Sequence, residues 1–381
     1  MLHQISSTFV RRLDFFIPLI AAVLAVLVAL TIGAVFLIVL GADVSQVYGK
    51  LISGALGSTY SLTQTIGKAT PLLLVALGIC IAFRCNVLNI GVEGQVIVGG
   101  LASTAAALAF PSLPSPLLIV LSLLAGFAAG AVWAGIPGIL KAWNGVNEIL
   151  STIMMNQVAT YLLIVLLTGP MKDATADSTA ANIIQTARIP EQAWLPAIVA
   201  RTPFHLGAIL AVIAAGLVFF FLWRTVAGYR IRAVGANPKA AAYAGISVKR
   251  ITLLAMLLSG GLAGLAGGVE VLGVTHRALQ DFTTGYGFSG IVVALFGGLH
   301  PLAAIPASLI FGGLLVSGSK LQSVGVSSAM VTVLQGLIVL CVVGSNELVR
   351  RWRQRPHNDS RAPEAENLPI KEPQAQEGFG R

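Results

Sequence analysis

The sequence predicts an all-α, polytopic membrane bundle of about ten spans. Three observations carry that reading. The chain is 56% hydrophobic and only 10% charged, with a mean hydropathy of +0.86, whereas soluble domains carry about 25% charged residues. Its Lys and Arg sit at the ends of apolar runs rather than on one polar face. The net charge of +9 is therefore a topological signal and not a nucleic-acid surface. The third observation is the run Phe83 to Gln95, where Asn86, Asn89 and Glu93 stand three and four residues apart among apolar neighbours. On a continuous helix they share one face. At 1.5 Å per residue Glu93 lies about 14 Å from Arg84, near the middle of a hydrocarbon core about 30 Å thick. A carboxylate there costs at least about 2.5 kcal/mol, so the stripe must face protein or a watery path.

The expected elements follow in order. Arg11 and Arg12 precede a first span over residues 15–40. That run is longer than the roughly 7–15 residues of a signal-peptide core, so an uncleaved helix is expected. Further spans are expected over 69–83, 86–110, 117–140, 148–168, 206–223, 251–273, 287–299, 301–318 and 327–345. The segment 287–299 is the shortest and reads as broken or tilted. This arrangement places 14 Lys and Arg on one side, from Arg11 to Arg355, and 7 on the other, including Lys68, Lys172 and Lys320. The bias predicts both termini in the cytoplasm. Residues 1–14 are then an inner N-terminus and 15–345 the transmembrane domain. That domain carries an outer loop over 169–205 and a basic inner loop over 224–250. Residues 346–381 form a basic juxtamembrane segment and a Pro- and acid-rich tail expected to be disordered. Two stripes of small residues, Gly260–Gly264–Gly268 and Gly126–Gly130–Ala134–Gly138, predict close helix packing.

Several motifs have two readings. In the inner loop, Asn237 is a helix cap and Pro238 a first helical residue; Lys239 to Ala244 is a short Ala-rich helix that Gly245 can end. This is a docking element or a plain connector. Glu148, Thr152 and Asn156 repeat every four residues. Glu148 serves either as an acid favouring its helix N-terminus or in a functional role. Glu270 reads as an interfacial residue. Gly285-Tyr286-Gly287-Phe288-Ser289-Gly290 matches G-x-G-x-x-G, but no strand precedes it, so its glycines suit a re-entrant turn or a helix start. Gly67-Lys68 is followed by Ala69, and no phosphate-binding loop is present. The five histidines and three cysteines have no metal-ligand or disulfide spacing. No nucleophile–base set is readable, and no catalytic residue is assigned.

Four segments, taken together, resemble the permease subunits of simple-sugar and nucleoside ABC importers, within the branched-chain amino acid/ribose-type permease superfamily. They are Phe83 to Gly100, Asn147 to Asn156, Arg232 to Gly245 and Gly285 to Gly298, and they occur in the family order. The resemblance covers roughly Thr65 to Gly344, and the Asn147–Asn156 segment and long outer loop lean toward the nucleoside branch. It implies a type II importer architecture in the bacterial inner membrane, working by alternating access. It also implies partners: two cytoplasmic ATPase subunits, a second identical or related permease, an extracytoplasmic binding protein and membrane lipid, with no nucleic acid. No cofactor is expected on this chain; ATP–Mg is used by the ATPase partner. Under the resemblance, Asn86, Asn89, Glu93, Glu148 and Asn156 line, buttress or gate the translocation path. Gly235, Asn237, Pro238, Ala241 and Gly245 belong to the ATPase-coupling element. The residues alone leave open an autonomous ion-coupled transporter using Glu93.

Overall fold

The computed structural model of the chain describes residues 24–39, 41–173, 184–327 and 329–354. Residues 1–14, the start of the first span and the tail beyond Gln354 lie outside them. The described backbone is helical, with three isolated bridges and no strand. The helices are α1 (Leu24–Val39), α2 (Val44–Leu56), α3 (Thr59–Arg84), α4 (Val92–Ala109), α5 (Ser115–Asn144), α6 (Glu148–Thr168) and α7 (Leu206–Arg224). There follow α8 (Val226–Ala236), α9 (Pro238–Tyr243), α10 (Val248–Glu270, prolonged by a π-helical turn Val271–Thr275), α11 (Tyr286–Phe296), α12 (Ala304–Leu321) and α13 (Ala329–Gln354).

Among the described residues, seven helices are long and apolar enough to cross a membrane: α3 to α7, α10 and α12. Three shorter apolar stretches, in α1, α11 and α13, occupy the remaining predicted segments. The boundaries moved where polar residues misled the hydropathy. Helix α3 starts at Thr59 rather than 69, because Lys68 interrupts the apolar run but not the helix. Helix α4 starts at Val92 rather than 86. Helix α13 continues through Gln354, so the expected boundary at 345/346 falls inside a helix.

Two helices were not expected. Helix α2 is amphipathic and buries Val47, Leu51 and Gly54. Its cap is Asp43, whose carboxylate accepts from the Ser45 and Gln46 amides at 2.9 and 3.2 Å. Helix α8 precedes the predicted α9, turning the inner loop into two consecutive helices.

Helices α3 and α10 form the centre; 83% and 72% of their most apolar stretches are buried, against 22–33% for α5, α6 and α7. The reason α10 can be central is its glycine row. It packs against α3, α4 and α5. A Cβ on Gly264 would strike the Gly126 carbonyl and lie 2.9 Å from Gly130 Cα; one on Gly130 would strike the Gly260 carbonyl. Both predicted stripes thus meet each other. On the other flank, Leu37, Val47, Leu51, Leu321 and Leu334 form a separate small core.

Gly264→Val should destabilise the bundle by about 1–3 kcal/mol through overpacking. Gly336→Ala, where a Cβ meets nothing within 4 Å, should be neutral or slightly favourable. Thermal unfolding of the purified protein in detergent tests the contrast; an equal midpoint for both variants would contradict this packing.

Candidate functional site: a buried polar chain at interrupted helices

The sequence from Cys85 to Gly91 is irregular. It leaves α3 by a turn in which Asn86 is exposed and left-handed (φ 57°). Asn86 therefore does not share a helical face with Asn89 and Glu93, and the expected three-residue stripe does not form. Glycines at 91 and 94 let this segment press against α6, where added Cβ atoms would lie 3.0 Å from the Thr152 carbonyl and Ala159 Cβ respectively.

A non-helical backbone inside an apolar bundle needs internal partners. Two amides supply them. Asn89 Oδ1 accepts from the Gly91 amide at 3.2 Å and from Gln95 Nε2 at 3.0 Å. Its Nδ2 donates to Gln95 Oε1 and Ser259 Oγ, both at 2.9 Å. Asn156, on α6, donates from Nδ2 to the Ile90 carbonyl at 2.9 Å and accepts at Oδ1 from the Gly94 amide at 2.8 Å. The start of α4 has no cap from its own Gly91, so a residue 62 positions away caps it.

Glu93 repeats the arrangement one helix further on. Helix α11 begins at Gly285 (φ 78°), which has no side chain to cap it. Glu93 Oε2 accepts from the Gly287 amide at 2.7 Å, and Oε1 accepts from Thr283 Oγ1 at 2.5 Å. A Cβ on Gly287 would lie 2.5 Å from Glu93 Cα, so the G-x-G-x-x-G glycines make a helix start, with room for a neighbouring backbone. The far end of α11 meets Arg84, whose Nε donates to the Leu299 carbonyl at 3.2 Å. Glu93 and Arg84 are thus separated by about the length of α11, roughly 17 Å. No helix joins Glu93 directly to Arg84; the interval between them is spanned by α11.

Tyr286 continues the chain. Its hydroxyl donates to Glu270 Oε1 at 3.1 Å and accepts from Lys68 Nζ; Lys68 and Glu270 form an ion pair at 3.6 Å. Glu270, read from the sequence as an interfacial residue, is only 2% exposed and faces the inside of the bundle. Lys68, placed among outer bases by the charge reading, is an internal partner. Its isolation in one apolar run, with Glu270 likewise isolated in another, was the available signal. Glu148 is separate from this chain: it pairs with Lys141 at 2.6 Å across the α5–α6 turn, while Asn147 caps α6. The coupling residues lie elsewhere as well. Asn237 Oδ1 accepts from the Lys239 and Ala240 amides at 3.0 and 3.1 Å, Pro238 opens α9, and Gly245 is left-handed at φ 79°. Gly235 lies against the Arg84 carbonyl, leaving no space for a Cβ.

Two expectations follow. Glu93→Gln can still accept from Gly287 while its amide donates to Thr283, so assembly should survive. Glu93→Leu leaves both donors unpaired, at about 1–3 kcal/mol each; yield and unfolding midpoint should fall well below those of Glu93→Gln, and equal values would contradict the capping role. Lys68→Met should destabilise more than Lys68→Met combined with Glu270→Gln, because the single variant strands a buried carboxylate. A double-mutant cycle on unfolding midpoints reads this coupling; additive effects would contradict it.

Residues 61–343 match the family described as the branched-chain amino acid transport system / permease component. The chain is 36% identical to the guanosine ABC transporter permease protein NupP of Bacillus subtilis, over 88% of this chain and 95% of that one. It is 36% identical to the glucose ABC transporter permease protein TsgB13 of Haloferax volcanii, over 87% and 88% respectively. It is 32% identical to the nucleoside ABC transporter permease protein NupB of Lactococcus lactis, over 86% and 90%. With the apolar helices and a polar interior that satisfies its own backbone, these matches place the chain in the branched-chain amino acid transport system / permease component family, as a multi-pass membrane permease.

Proposed function

We propose that this chain is the transmembrane subunit of an ATP-driven importer for nucleosides or related sugars, in the bacterial inner membrane with both termini cytoplasmic. Family membership over most of the chain carries the reading, and it favours an ATP-driven importer over an autonomous ion-coupled transporter. The substrate class follows the relatives named for guanosine, nucleosides and glucose. Hydrolysis of ATP–Mg belongs to partner ATPase subunits. A second permease, identical or related, completes the path, and an extracytoplasmic binding protein delivers substrate.

The elements suit this division of labour. Helix α7 separates two different ends of the bundle. At one end, the segment 184–205 is tied to the end of α10 by Ile189 and Leu195 amides donating to the His276 and Leu272 carbonyls at 3.0 and 2.9 Å. It borders a mixed polar recess of about 590 Å³ that includes Glu191, Trp194 and Arg201, suited to meeting a binding protein. At the other end α9 protrudes as the coupling element. Its Ala241 is turned inward at 4% exposure, whereas Tyr243 is 94% exposed. Ala241 therefore supports the helix, and Tyr243 is the side chain offered to an ATPase cleft. In the interior, Asn89, Glu93 and Asn156 act as gating supports: Asn156 and Glu93 cap the starts of α4 and α11, Asn89 fixes the turn before α4, and the two helices can so move as units between alternating-access states. Asn86 and Glu148 serve at the margins, as turn and ion-pair residues.

Reconstitution in nanodiscs with the cognate ATPase and binding protein tests this. Tyr243→Ala should lower ATPase co-purification and substrate-stimulated hydrolysis while the permease still inserts. Lys239→Ala should be milder, since an exposed charge contributes about 1 kcal/mol or less. In liposomes without the ATPase, no concentrative uptake should occur. Normal coupling in Tyr243→Ala would remove α9 from the interface, and ion-gradient-driven uptake by the chain alone would overturn the importer reading.

A further inference from the structure

Around Trp223, in the last turn of α7, the fold gathers two arginines and a histidine from three other elements. The Arg84 guanidinium, at the end of α3, lies over the indole at 5.2 Å, and that of Arg232, on α8, at 5.8 Å. The His300 ring, from the turn between α11 and α12, stands 5.2 Å from the indole, and Phe219 stacks on it at the same distance. Stacking on an aromatic face holds a guanidinium flat and leaves its edges free to donate. The ion pairs among the described residues are Lys68–Glu270 and Lys141–Glu148, so neither arginine has a carboxylate partner there. Arg84 uses Nε on the Leu299 carbonyl, and its terminal nitrogens have no such partner among the described residues. Arg232 Nε is buried with no hydrogen-bond partner among the described residues. Two half-buried guanidiniums and an imidazole thus gather around one indole, with no carboxylate paired to either arginine among the described residues.

We propose that this cluster is a binding site for a phosphate-bearing anion, the phosphodiester headgroup of an anionic membrane lipid. A phosphate offers several acceptor oxygens, matching two forked donors. Lipid is favoured as the source because the site lies at the very ends of the spanning helices α3 and α7, around a tryptophan, the side chain that settles at headgroup depth. Exposed Phe220 and Tyr229 flank it on α7 and α8, so acyl chain and headgroup meet complementary surfaces. Basic pockets between spanning helices on the cytoplasmic side recognise lipid headgroups in this manner. Burial, and then the neighbouring Arg84 charge, hold His300 below the ordinary imidazole range; a bound anion would oppose that charge. Since Gly235 rests on the Arg84 carbonyl, an occupant also braces α8, the stem of α9.

The test uses the full chain in detergent, titrated with phosphatidylglycerol, phosphatidylcholine or inorganic phosphate. Unfolding midpoint and lipid retention by native mass spectrometry are read for each. Phosphatidylglycerol should raise the midpoint and be retained in preference to phosphatidylcholine. Arg84→Gln with Arg232→Gln should weaken that binding about 30-fold. Because the double variant can fail to fold, the pKa of His300 in the unaltered protein is followed by NMR, assigned with His300→Gln; phosphatidylglycerol should raise it. Equal retention of the two lipids, an unmoved His300, or undiminished binding in a folded double variant would overturn the proposal. Inorganic phosphate acting as well as phosphatidylglycerol would overturn the lipid source.

Discussion

The carboxylate of Glu93, bonded to the first turn of α11, closes a problem that an apolar environment makes acute. Every helix start leaves amides with no partner in its own helix. In water these are solvated; inside a bilayer each must find an acceptor within the protein. Helices α4 and α11 both start inside the bundle, and each starts at a glycine that cannot cap. Asn156 supplies the acceptor for α4, and Glu93, carried by α4, supplies it for α11. The two breaks are therefore linked: what positions α4 also positions the cap of α11. Interrupted helices held by single side-chain caps suit alternating access, since a segment bonded at its end can tilt without unravelling.

Glycine makes these caps reachable. A short side chain caps a distant helix only if the backbones approach closely, and Gly91, Gly94 and Gly287 stand where a Cβ would meet the partner segment. The same residue type sets the α5–α10 contact through Gly126, Gly130, Gly260 and Gly264. Small residues have one physical role at both places, but different outcomes. Between α5 and α10 they create a continuous packing seam; at 91–94 and 287 they bring polar groups within hydrogen-bond range.

Charge follows a second division. In the interior, Lys68, Glu270 and Tyr286 are bonded to one another across α3, α10 and α11, while Glu270 Oε2 has no hydrogen-bond partner among the described residues. At the Arg84 end, cations collect on Trp223 without an internal counter-charge. The first arrangement locks helices together. The second leaves guanidinium donors without a carboxylate partner among the described residues, next to the α8–α9 element that protrudes from the bundle.

Much of this was legible in the sequence. Apolar run length located ten segments, because burial in lipid demands about 20 apolar residues per crossing whatever the neighbours are. The Asn237-Pro238 cap and its terminating Gly245 were readable because capping is local, satisfied within three residues. The glycine stripes were readable because their period is that of the helix. What only the tertiary structure decided was the partnership of the isolated polar residues. Glu93 and Asn89 looked like one helical face with Asn86, yet the chain breaks between them and each bonds to a segment far away in sequence. Lys68 and Glu270 looked like unrelated boundary residues, yet they pair across 202 positions. Local periodicity specifies which face of a helix is apolar; it does not carry the distance between an acceptor and the orphan amide of another helix, which exists only once the helices have packed.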